Sequence, residues 1–309
     1  MTRRLSAGFI TAVSAVLTHA YTLQVIMPGL PTAAAMHAQI LLHTADSPYR
    51  YRLLTPTLID TLSSLLPTSP STALITATAA VAFAGFAATL AGTYRITRLF
   101  AARPAALSAV MIAALALLPG LRDHYYQPWS LLEPAFVAIT LLLAHQRRQA
   151  ALIGLTLLAT LNRETALLLP ALFAFTQYRH IPAPRLALTT AGMLAAWACV
   201  FFGTRALFGQ ARHAETIQGL LAFNLGEGLI PALVNVSVVL APILALAWAA
   251  RHAAPPLLKR ALLISAPYAA LILVWGVWLE VRLLGPLVPL LAPIAALALH
   301  ARSDQSGAP

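Results

Sequence analysis

Long stretches of this chain carry no charged side chain. Residues 5–26, 71–94, 104–120, 229–250 and 283–300 are each apolar and free of Asp, Glu, Lys and Arg. Runs of about 20 such residues match the hydrocarbon thickness of a bilayer when helical, because every backbone hydrogen bond is then satisfied within the segment. Charged residues make up 9% of the 309 residues and hydrophobic ones 60%, against about 25% charged in a soluble domain. The sequence therefore predicts an all-α, polytopic transmembrane helix bundle forming one membrane domain over residues 1–309.

The formal net charge of +11 does not point to nucleic acid, since the basic residues sit in short turns between apolar runs, as membrane orientation requires. No nucleic-acid-binding motif is present. Arg3 and Arg4 precede the first run, which is read as an uncleaved first helix. Arg95, Arg98 and Arg103, then Arg147 and Arg148, Arg179 and Arg185, Arg251, Lys259 and Arg260, and finally Arg302 mark the cytoplasmic turns. About ten membrane segments follow, with both termini inside. They comprise 5–26, 71–94, 104–120, 131–144, a pair within 150–178, 186–208, 229–250, 261–279 and 283–300. The run 150–178 is interrupted by Asn162-Arg163-Glu164-Thr165 and has basic flanks at both ends. Two short helices joined at the interruption satisfy those flanks; a single tilted span is the alternative.

Eight of the nine acids then fall at or near the outer face, which the orientation rule for basic residues does not demand. They include Asp46 in the long first outer loop, 27–70. In that loop Tyr49, Arg50, Tyr51 and Arg52 follow Asp46, and residues 55–66 read as an amphipathic helix capped by Thr55, with Pro56 at its first position. Leu54, Leu58 and Leu62 recur along it at helical spacing; it either lies on the membrane surface or packs on the bundle. Asp123 and His124 occupy the second outer loop. Four opposite-charge groupings are expected at the outer end: Asp46 with Arg50 and Arg52, Asp123 with His124 and Glu133, Arg163 with Glu164, and Glu280 with Arg282. Carboxylates there can act as general bases, and guanidinium groups suit phosphate. His37, His43 and Asp46, joined by Asp123 and His124, offer a possible divalent-metal set, but their spacing matches no standard zinc motif. The single cysteine, Cys199, lies in an apolar run and is read as a packing residue. Nucleotide-binding glycine motifs and a serine-hydrolase elbow are absent.

An acid in a long first outer loop, an amphipathic stretch after it, an acid in the second loop, a charged break between paired short helices, and Arg282 leading into a proline-rich late span together resemble the bacterial GT-C-type integral-membrane glycosyltransferases. This is the superfamily of the dolichyl-phosphate-mannose mannosyltransferases and aminoarabinose transferases. The resemblance implies a GT-C-like bundle in the bacterial inner membrane, membrane lipids as surroundings, and a polyprenyl-phosphate-linked sugar as donor. It implies Asp46 as the catalytic base and Tyr49, Arg50, Arg52, Asp123, His124, Glu133, Arg163, Glu164 and Arg282 as substrate-binding residues. A transporter or flippase for a lipid-linked or anionic solute, or a non-catalytic membrane subunit, is the alternative function.

Overall fold

The computed structural model describes residues 2–121, 126–211, 216–226, 228–252, 254–278 and 280–306, and its regular elements among them are all helical. In chain order the α-helices are α1 (Thr2–Tyr21), α2 (Leu30–Leu41), α3 (Leu54–Ser64), α4 (Pro70–Arg98), α5 (Arg103–Leu117), α6 (Glu133–His145) and α7 (Gln149–Asn162). They continue with α8 (Leu168–Gln177), α9 (Ala183–Phe208), α10 (Ile217–Leu225), α11 (Leu229–Ala249), α12 (Pro256–Leu262), α13 (Ser265–Trp275) and α14 (Val288–Ser306). Proline sits in the first turn of α4, α5, α6, α9 and α12, where its missing N–H would have no intrahelical partner. At α4, Ser69 adds a side-chain cap by accepting from the Thr72 N–H.

Among the described residues, six helical stretches are long and apolar enough to cross a membrane: Arg4–Ile26, Pro70–Arg98, Arg103–Leu121, Pro128–His145, Ala183–Phe208 and Arg282–Ala301. The helix α11, of 21 residues, has no charged side chain. The run 150–178 is two helices, α7 and α8, joined by a short 3-10 turn at Glu164–Leu167. The run read as one span at 261–279 is divided: α12 ends at Leu262 and the 11-residue α13 begins at Ser265.

The core lies around α4 and α14. The helix α4 packs on α1, α3, α5, α6 and α14. It presents buried Thr78, Gly85, Thr89, Gly92, Thr93 and Thr97 to its neighbours. A carbon added at Gly92 would stand 2.6 Å from Ala138 Cβ on α6, and one at Gly85 would stand 2.7 Å from the Leu131 carbonyl oxygen. Small residues thus set the α4–α6 spacing, as in membrane bundles generally, where lipid gives no hydrophobic drive for helices to associate. The hydroxyls of Thr89, Thr93 and Thr97 donate to carbonyls one turn back (2.8, 2.9 and 2.8 Å), so the stripe buries no unmet polar group at these positions. By contrast α1 and α9 are peripheral, and Leu188, Phe202 and Leu207 of α9 are exposed.

The segment expected as one long loop, 27–70, holds two helices. The expected amphipathic helix is α3, but two details differ. Thr55 is not its cap, because the helix already begins at Leu54 and the Thr55 hydroxyl is used elsewhere. The side of α3 that meets the bundle is Thr55, Pro56 and Ile59, whereas Leu58, Leu62 and Leu65 are exposed. A leucine stripe turned away from the bundle is what a helix at a membrane surface needs.

Replacing Gly92 by Leu should force α4 and α6 apart. Overpacking of this kind costs about 1–3 kcal/mol, so the thermal midpoint of the purified protein should fall by several degrees. Gly154, which has open space around it, should accept Leu without such a change.

Candidate functional site

The charged break between α7 and α8 organises the outer-loop residues expected to act. Asn162 ends α7 and is fully buried. Its side-chain amide donates to the Trp129 carbonyl (2.8 Å), and its amide oxygen accepts from the Thr55 hydroxyl (2.5 Å). One side chain therefore ties the end of α7 to the start of α3 and the turn before α6. Arg163 follows in extended conformation (φ −163°, ψ 141°). Extended backbone sends successive side chains to opposite sides, so Arg163 and Glu164 separate instead of pairing with each other.

Arg163 turns to α6. It meets the Glu133 carboxylate at 2.6 Å and reaches the Ser130 hydroxyl at 3.3 Å. The other Glu133 oxygen accepts from the Thr165 hydroxyl. Both members of the ion pair are buried. Arg163 Nε, also buried, has no hydrogen-bond partner, and the residue lines a pocket with Glu133, Thr165, Leu169, Tyr268 and Pro286. Glu164 turns the other way and receives a two-point contact from Arg52, Nη2 to Oε1 at 2.7 Å and Nε to Oε2 at 3.4 Å. The Glu164 side chain keeps 28% of its exposure, against 4% for Arg52. The Arg52 guanidinium lies 5.0 Å from the Tyr49 ring and 5.2 Å from that of Trp129, positions that favour cation–π attraction. The Trp197 indole N–H donates to the Glu164 carbonyl (3.0 Å), which fastens the break to α9.

A third ion pair, Glu280 with Arg282 at 2.9 Å, stands at the approach to α14. Arg282 shares a second pocket with Ser130, Thr89, Phe86 and Leu121. Ser130, which lines that pocket and accepts from Arg163, links the two. Tyr49 lies within electrostatic reach of Arg52, Glu280, Arg282 and Arg163; burial raises its pKa, and Arg52 works against the rise.

Arg52, Glu133, Arg163, Glu164, Glu280 and Arg282 therefore gather where the approach to α3, the start of α6, the α7–α8 break and the approach to α14 meet. The expected Glu280–Arg282 pair is present. The expected pairing of Asp46 with Arg50 and Arg52 is not: Arg52 is taken by Glu164, and Arg50 donates to the carbonyls of Ala45 (3.0 Å) and Phe208 (3.3 Å). Asp46 is exposed and has no ion pair among the described residues. Asp123 and His124 lie outside the described residues, and Glu133 is engaged by Arg163 and Thr165. His37, His43 and Asp46 do not form a metal-binding group. The His37 ring hydrogen-bonds the Tyr126 hydroxyl (2.9 Å) and the His43 ring stacks on Phe208. Among the described residues, no three His, Cys, Asp or Glu side chains group closely enough to hold a metal ion. Two contributors were missed in the sequence. Thr55 passes for a helix cap, and Ser130 carries no signal, because its role comes from tertiary contact alone.

No protein-family model, curated protein or solved structure matches this chain.

Removing one member of a buried pair leaves an uncompensated charge, at a cost of about 3–5 kcal/mol. Arg163→Ala should therefore lower the unfolding midpoint of the purified protein more than Arg52→Ala, whose partner is partly hydrated. The double replacement Glu133→Leu with Arg163→Met should recover most of the loss, which a double-mutant cycle would quantify.

Burial lowers the His37 pKa below 6.5, with Asp60 opposing. The unfolded chain then binds the proton more readily, so this residue's contribution is full above about pH 6.5 and is lost as pH falls from there through the depressed folded-state value. The midpoint of the wild-type protein should fall more between pH 7 and pH 5 than that of His37→Gln.

Proposed function

We propose that this chain is a membrane-embedded glycosyltransferase. It moves a sugar from a polyprenyl-phosphate-linked donor to a hydroxyl of a lipid, glycan or protein acceptor, at the extracytoplasmic face of a bacterial inner membrane. The arrangement is GT-C-like, with both termini in the cytoplasm and ten membrane segments: the six long helical stretches together with α7, α8, α11 and α13.

The observation that carries this reading is the gathering of three arginines from distant parts of the chain, two of them buried and the third, Arg282, largely covered. Arg52, Arg163 and Arg282 are each placed by a carboxylate partner. Guanidinium groups fixed in advance can stabilise charge as it develops on a leaving group without reorganising at that moment. In the proposed reaction the Asp46 carboxylate takes the proton of the acceptor hydroxyl. The acceptor oxygen bonds to the anomeric carbon, and the bond from that carbon to the phosphate oxygen breaks. The lipid phosphate departs with the electron pair, and Arg52, Arg163 and Arg282 hold it; Arg163 has a donor to spare at Nε. Glu133, Glu164 and Glu280 keep the arginines in place. Tyr49, Arg50, Asp123 and His124 are assigned to orienting the substrates. An exposed Asp46 without an ion pair suits a base that must meet an incoming hydroxyl.

A second reading has one observation in its favour. Charged residues in an unwound break between two short helices also suit a transporter, where broken helices form the solute site.

Purified protein should transfer radiolabelled sugar from a lipid-linked donor, and Asp46→Asn should lower the rate by about 10²–10⁴-fold, the usual contribution of a placed general base. Near-normal transfer by Asp46→Asn would remove the assigned role. Solute counterflow in proteoliposomes without any sugar transfer would favour the transporter.

A further inference from the structure

The end of α8 away from the break carries charge of one sign only. Residues 165–214 and 228–279, which form α8, α9 and α11 to α13, contain no Asp or Glu. The ion pairs among the described residues use Arg52, Arg163 and Arg282. Two other arginines, Arg179 and Arg260, meet at this end without a carboxylate.

Both guanidinium groups settle on one residue, Tyr178, which closes α8. Arg260, in the last turn of α12, donates from Nη1 to the Tyr178 carbonyl, and a cation suits the negative end of a helix dipole. Arg179 takes a φ of 65°, the left-handed conformation in which a glycine commonly ends a helix. Its Cζ stands 5.3 Å from the centroid of the Tyr178 ring, close enough for cation–π attraction. Arg179 is exposed and makes no hydrogen bond among the described residues. Like charges gathered on one residue repel, and an anion that meets both removes that repulsion.

Carbon lies beside them. Phe175 precedes Tyr178 by one turn of α8, and Leu263 follows Arg260 by three residues, so each is displaced from the Tyr178–Arg260 contact toward the charged end of the bundle. Phe175, Tyr178 and Leu263 are 45%, 56% and 58% exposed, and α8 and α12 are packed together. The edge therefore offers two guanidinium groups with exposed carbon below them. A small soluble anion would meet the cations and leave the carbon bare. A phosphate carrying acyl chains meets both, because the guanidinium fork matches phosphate oxygens. With no acid in these segments, nothing holds the ammonium of a zwitterionic headgroup, which favours a headgroup of net negative charge.

We propose that the α8–α12 edge binds an anionic phospholipid of the surrounding bilayer, with its phosphate on Arg179 and Arg260 and its acyl chains along Phe175 and Leu263. The site rests on the membrane setting of the chain and not on the transfer chemistry.

Native mass spectrometry of the purified full-length protein tests this, with phosphatidylglycerol titrated against phosphatidylcholine of the same acyl chains. Phosphatidylglycerol should be retained several-fold more. A basic residue near an anionic lipid contributes about fivefold to binding, so Arg179→Gln should weaken retention of phosphatidylglycerol by about that factor. Adding Arg260→Gln should bring it down to the phosphatidylcholine level. Arg147→Gln with Arg148→Gln removes the same charge from the exposed turn after α6 and should leave retention unchanged. A diazirine on the acyl chain of phosphatidylglycerol should label the peptides that hold Phe175 and Leu263. Melting midpoints check that each variant is folded. Arg179→Gln breaks no hydrogen bond among the described residues and carries the test alone if the double variant unfolds. Equal retention of the two lipids, an equal loss in the Arg147 and Arg148 variant, labelling confined to other segments, or displacement of the lipid by millimolar inorganic phosphate would each overturn the proposal. Lipid retention needs no sugar donor, so its failure leaves the transferase reading standing, and a failure of sugar transfer leaves the lipid site standing.

Discussion

The Arg163–Glu133 contact is the constraint around which the upper part of this bundle is built. Ions are costly to take out of water, and the cost is offset only where the partner is close and the remaining donors and acceptors are met. That condition reaches well beyond the two residues. Glu133 must stand at the first turn of α6, Thr165 must fall two residues after Arg163 to occupy the second carboxylate oxygen, and Ser130 must lie in the turn ahead of α6. The break between α7 and α8 is what allows an arginine to reach there. A continuous helix would have set Arg163 and Glu164 only about 100° apart around one cylinder, rather than sending them to opposite sides.

Below that layer the bundle is held by shape. Gly92 of α4 admits Ala138 of α6 to close contact, and the hydroxyls of Thr89, Thr93 and Thr97 are satisfied within the helix itself. Charge and shape are thus divided between two regions. The charged end of the bundle uses long side chains from distant segments to fix loop positions, while the middle uses the absence of side chains to fix helix spacing. Arg52 shows how the two meet: it is buried among Tyr49, Trp129 and Glu164, and the Asn162 bridge beside it joins α3 to α7.

Much of this was legible in the sequence, for identifiable reasons. Most charge-free runs of 17 residues or more coincide with helices, since few other structures bury so much carbon, and the basic turns mark their ends; 261–279 is the exception, divided between α12 and α13. The interruption at 162–165 was legible as a break because a polar tetrapeptide amid leucine is costly in a straight span. The pairings were less accessible. Arg163 and Glu164 are neighbours in the chain, and adjacency suggested a pair; the extended φ and ψ at Arg163 separate them. Asp46 and Arg52 share one short loop, yet Arg52 finds Glu164 more than a hundred residues away. The leucine stripe of α3 identified the helix but not which way it faces. Partner choice depends on where three or four segments converge, and local spacing carries no record of that.

The extended residue at the break also gives the tetrapeptide a parity. Across it Arg163 and Thr165 both turn to Glu133, while Glu164 between them turns to Arg52. Its function therefore lies in its phase as much as in its composition. The same residues shifted one position toward the C-terminus would direct a carboxylate at Glu133 and a guanidinium at Arg52, so that two attractions would become two repulsions. The connection between α7 and α8 can drift in sequence at its apolar flanks, but its length is fixed to the residue.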